Sequence, residues 1–153
     1  MQSQSPNANT ALPSVQDWMY RAAIVLVLIE TFYGLFWFLL GVVVRLDLMP
    51  NSTWIEANDF IASVGLWQEI AFHLHVFLNL VCVYLIIMRR SLVTPVYIVS
   101  FFIGKIDFIL LADNPTWSIL LDWDAPLRVV FFNVIQAITM VILAILSSRR
   151  YFR

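Results

Sequence analysis

AAIVLVLIETFYGLFWFLLGVVV, residues 22–44, runs unbroken between Arg21 and Arg45 and carries a single charge, Glu30. A helix crossing the hydrocarbon core of a bilayer needs about 20 predominantly apolar residues, so this stretch predicts a transmembrane helix. Three more stretches of similar character follow. Residues 66–88 close on Arg89 and Arg90. Residues 93–112 hold both Lys105 and Asp107. Residues 127–146 are opened by Pro126, a residue suited to a first helical turn, and closed by Ser147, Ser148, Arg149 and Arg150.

Composition agrees with four spans. Apolar residues make up 61% of the chain and charged residues 12%, against about 45–50% and about 25% in a soluble domain. A chain so balanced cannot clothe its core in polar surface, and lipid is the solvent that fits it. At 153 residues there is room for one domain. The expected fold is all-α: an integral membrane four-helix bundle over residues 21–150, with a polar N-terminal tail at 1–20 and a short C-terminal end at 151–153. Residues 1–15 lack the basic start of a signal peptide, and the apolar run after them is too long for one. They read as a retained tail.

Orientation follows from Lys and Arg in the short loops. Arg89 and Arg90 occupy the turn between the second and third spans, and Arg149, Arg150 and Arg153 follow the fourth, with no acid at either place. The other connections carry Asp47, Glu56, Asp59 and Glu69 against Arg45, and Asp113, Asp122 and Asp124 against Arg128. An even number of spans puts both arginine clusters on one side, so both termini are expected in the cytoplasm, in a bacterial inner membrane. Trp54, Trp67, Trp117 and Trp123 fall near the outer ends and Trp18 near the inner edge, where indole prefers the headgroup level. Residues 51–65 and 114–124 read as short amphipathic segments on the outer surface.

Several function classes are excluded or weakened. Net charge is −1, and no basic patch interleaves with aromatics, so no nucleic-acid partner is expected. Cys82, the single cysteine, has no disulfide partner within the chain and reads as a packing or lipid-facing residue. No metal-ligand spacing or nucleophile–base pair is visible. Asn51–Ser52–Thr53 matches a glycosylation sequon, which matters only in a secretory pathway. The outer acids lack a calcium-loop pattern.

The informative residues are polar groups placed within the membrane, which are costly and face a bundle interior or a partner. They are Glu30, His73, His75, Asn79, Lys105, Asp107, Asn133 and Gln136. At about 1.5 Å per residue, counting from the inner ends groups most of them in an outer layer on spans two, three and four. Glu30 and Asn79 fall in a deeper layer. Glu69 with His73, His75 with Asn79, and Asn133 with Gln136 are spaced three or four apart and share faces. Lys105 and Asp107 are two apart and point to opposite sides, as do His73 and His75.

Two resemblances attach to these residues. Ala71, four residues before His75, resembles the small-residue-then-His pattern of membrane light-harvesting helices that bind bacteriochlorophyll. It covers five residues and implies a pigment contact at His75. Glu30 in the first of four spans is similar to the essential Glu of small multidrug exporters. The greater length, the polar tail and the Lys and Asp of span three depart from that family, whose assignment is not carried over.

Three functions are therefore weighed. The leading expectation is a non-catalytic accessory or scaffold subunit of a larger membrane complex, packing through aromatic helices (Phe32, Tyr33, Phe36, Trp37, Phe38) and the polar layer. Its partners would be the lipid bilayer and other membrane subunits or further copies of itself. The alternatives are a small proton- or ion-coupled transporter using Glu30, Lys105 and Asp107, and a membrane protein binding lipid, quinone or (bacterio)chlorophyll at His73 or His75.

Overall fold

The computed structural model describes residues 14–48, 59, 61–112 and 125–153, with the side chains of 125–129 left aside. The tail over residues 1–13, most of the first amphipathic segment with its sequon, and the segment at 113–124 lie outside the described residues. Four long helices are present: α1 Val15–Arg45, α2 Leu66–Ile87, α3 Val93–Ala112 and α4 Ala125–Ser148. Each is long and apolar enough to cross a membrane, α4 over Val130–Ser148. Among the described residues the chain is an all-helical, multi-pass membrane protein with four candidate spans.

Helix α1 begins well ahead of its apolar run. Asp17 N–H donates to the Ser14 side chain at 3.2 Å, and Ser14 N–H donates to the Asp17 carboxylate at 3.1 Å. This reciprocal capping box satisfies two donors that a helix start otherwise leaves bare. Residues 15–20, read from sequence as the end of the polar tail, are therefore the first turns of α1. In α3, Pro95 stands in the first turn, where its missing N–H removes no helical hydrogen bond. Helices α1, α2 and α4 all stop in the same way. Asp47, Arg89 and Arg150 adopt left-handed φ values of 52°, 52° and 53°. The next residue then donates back into the last turn, as Arg90 N–H does to Leu85 O at 2.9 Å.

The helices form a ring. α1 packs on α2 and α4, and α3 packs on the same two, the α2–α3 hairpin being the most extensive contact. Both ends of the described chain and the α2–α3 turn meet at one end of the bundle, called the terminal end below; the opposite end is the loop end. Most of the core is near the terminal end. Ala23, Cys82, Val93, Leu143 and Leu146 are fully buried there. Cys82 is thus a core packing residue. Gly34 lets α1 approach α2, since a Cβ at that position would stand 3.2 Å from Val76 Cγ2. α3 buries only Val93, Tyr97 and Ser100, all in its first half, while Phe102, Ile106 and Ile109 face outward.

Candidate functional site

Three polar clusters occupy the interior. The first joins α2 to α3. His75 Nδ1 donates to Ser100 O at 2.9 Å, Asn79 Nδ2 donates to His75 Nε2 at 3.3 Å, and Ser100 Oγ donates to Asn79 Oδ1 at 2.8 Å. The three side chains satisfy one another with the imidazole proton on Nδ1. Gly104 lies flat against this ring, because a Cβ there would come within 2.9 Å of two imidazole atoms.

The second cluster lies across the bundle. Tyr97 OH, on α3, donates to Glu30 Oε1, on α1, at 2.7 Å. Thr139 Oγ1, on α4, lies 3.2 Å from the same oxygen and 2.8 Å from Ile135 O. Glu30 is only 5% exposed, so these hydroxyls replace the water that a carboxyl would otherwise need. The third cluster clasps α3 to α4. Lys105 Nζ donates to Asn133 Oδ1 and, at 2.7 Å, to Gln136 Oε1, and it sits 4.8 Å from the centre of the Phe101 ring.

These clusters regroup the residues expected from depth alone. Asn79 belongs with His75 and Ser100, not with Glu30. Counting along a helix places the Cα, whereas a side chain reaches several ångströms further and leans toward its own N-terminus. Asn133 and Gln136 do share a face, and Lys105 binds both. Asp107, on the opposite side of α3, has no hydrogen bond or ion pair among the described residues. His73 Nδ1 donates to the Glu69 carbonyl at 2.7 Å, and its ring meets the Phe38 ring edge-on at 5.4 Å. The Glu69 carboxylate instead pairs with Arg45 at 2.8 Å, closing α1 on α2 at the loop end.

Both nitrogens of His75 are engaged and Gly104 covers its face, so the residue offers no lone pair to a pigment or haem. His73 Nε2 has no partner among the described residues. No three His, Cys, Asp or Glu side chains among those residues are placed to hold a metal ion. Tyr97, Ser100 and Thr139 escaped sequence reading because hydroxyls are common in apolar helices. Their one signal is position. Tyr97, Ser100 and Gly104 recur at intervals of three and four on α3, the face turned inward.

A fourth arrangement closes the terminal end. Ser91 N–H donates to Arg153 O and Arg153 N–H to Arg89 O, both at 2.8 Å, so the C-terminal strand of chain is stitched to the α2–α3 turn. Tyr151 OH donates to Asp17 Oδ1 at 2.9 Å, and Tyr20 OH donates to Ile86 O at 3.0 Å. The Arg89 guanidinium stacks over both tyrosine rings, at 4.9 and 5.3 Å. Desolvation, followed by the bond to Asp17, pushes the Tyr151 hydroxyl above its ordinary pKa.

Comparison with protein-family models, with curated proteins and with solved structures finds no match.

Proposed function

We propose that this chain is a non-catalytic accessory or scaffold subunit of a larger membrane complex, with both termini in the cytoplasm. The observation that carries the reading is Asp107. Ionisable groups within membrane spans pair with one another or with a partner. Glu30, His75 and Lys105 are each held by polar groups of this chain. Asp107 has no such partner among the described residues, and it sits in the half of α3 that the bundle covers least. A donor from a neighbouring subunit completes it.

Two further features support the same reading. Phe32, Phe36 and Leu39, at spacings of four and three, form an outward ridge along α1, and aromatic side chains are enriched in the cores of protein interfaces. Hydrogen bonds from neighbouring helices hold Glu30, His75 and Lys105, with Gln136 touching both Glu30 and Lys105, and such bonds suit groups that fix helix register. Arginines at the terminal end favour cytoplasmic termini.

The test is mild solubilisation from native membranes, followed by native mass, partner identification and an absorption spectrum on one sample. A stoichiometric assembly is expected. Asp107→Leu should release the chain from it while leaving helical content unchanged. A colourless single chain or small homo-oligomer in the wild type overturns the proposal and moves attention to transport through Glu30.

A further inference from the structure

Helices α1 and α4 do not meet evenly near the terminal end. Between them lies an open groove of about 410 Å³, walled by Ala22, Val25 and Leu26 on one side and Ile138 and Ile142 on the other. That volume falls within the range of about 300–1,000 Å³ usual for small-molecule sites. From Trp18 to Leu26 the groove follows α1 for roughly 12 Å. Its walls are apolar throughout, and the small side chain of Ala22 leaves the space open.

One end of the groove differs from the rest. Arg21 lies at its mouth, exposed, with its guanidinium 5.7 Å from the Trp18 ring centre. It has no ion pair among the described residues. The one acid nearby in sequence, Asp17, is occupied by Ser14 and Tyr151. Arg90, Arg149 and Arg150 are exposed at the same end. A cation and an indole at the mouth of an apolar slot running toward mid-membrane match an amphiphile with a negative head and a hydrocarbon tail.

We infer that this groove is a binding site for an anionic phospholipid, its phosphate held by Arg21 and one acyl chain lying along Val25, Leu26, Ile138 and Ile142. The charge at the mouth selects the head, and the groove seats the tail. This inference is independent of the accessory-subunit reading.

The experiment is native mass spectrometry of the full chain, titrated with phosphatidylglycerol or with phosphatidylcholine of the same acyl composition. One arginine near a charged headgroup corresponds to about a fivefold preference, so retained phosphatidylglycerol should exceed phosphatidylcholine by about that factor. Arg21→Gln should bring the two lipids level. Ala22→Phe, which fills the slot and keeps the charge, should lower retention of both. Circular dichroism of each variant separates loss of the site from loss of the fold, and Ile142→Phe supplies a second filled groove on the other helix. Equal retention of the two lipids by the wild type overturns the inference. So does a preference that survives Arg21→Gln, which would assign it to the arginine-rich surface at large, and retention unchanged in both filled variants.

Discussion

Tyr97 joins two helices that lie diagonally across the ring. Its hydroxyl crosses from α3 to the Glu30 carboxyl on α1, a hydrogen bond across the diagonal of the ring. Tyr97→Phe keeps the volume and removes the donor. The expected cost is about 1–2 kcal/mol, the upper range for a hydrogen bond between membrane helices, read as a lower midpoint of thermal unfolding in detergent. A wild-type midpoint would show that Thr139 and Gln136 suffice for Glu30. Gly104 is the second residue on which packing turns. Gly104→Ala drives a methyl into the His75 ring, which Ser100 and Asn79 hold in place, and should cost about 1–3 kcal/mol. Combining it with His75→Ala should recover part of that loss, a coupling that a double-mutant cycle measures. Glu30 and Lys105 were legible in the sequence, since a charge inside an apolar run is rare. Their partners were not, because a tyrosine or threonine costs little in such a run and acquires meaning only when another helix brings a charge to it.

Helix α1 is 31 residues long, about 46 Å at 1.5 Å per residue, and therefore extends beyond its apolar stretch. Ser14 sets where it starts. Ser14→Ala removes the cap and should cost about 1 kcal/mol, visible as faster amide exchange over residues 15–20 with the rest of α1 unchanged. At the other ends, three non-glycine residues accept a left-handed backbone. Arg150→Gly relieves that conformation at a side chain with no bonded partner among the described residues and should stabilise the protein by about 1 kcal/mol; an unchanged unfolding midpoint would mean that the arginine contributes as much as its backbone costs. Hydrophobic runs made the four spans readable, because lipid demands them. The true start of α1 was harder to read. The Ser14-x-x-Asp17 spacing signals it, but the signal lies in a polar stretch where composition alone suggests a tail.

As a whole the molecule is tight at its terminal end and more open along the second half of α3. Phe152 is 6% exposed and belongs to the core, although sequence marked residues 151–153 only as an ending. Phe152→Ala should cost about 3 kcal/mol, and the loss should appear in the Tyr20–Tyr151–Arg89 stack, followed by tyrosine fluorescence, before the helices separate. Alternating arginine-rich and acidic connections made the antiparallel order of the helices readable. The ring order and the docking of the C-terminal residues were not, since they depend on contacts between positions from about twenty to more than a hundred apart that no local pattern encodes. The stitching of Arg153 to Arg89 and Ser91 also bears on how the protein is made. A ribosome working at about 5–20 residues per second reaches residue 153 some 3–12 s after residue 91. Through that interval three helices can insert and pair, yet Arg89 and Asp17 lack the tyrosine that later joins them. The terminal end is the last part of the bundle to form, and an incomplete nascent chain presents it open to whatever meets it at the membrane.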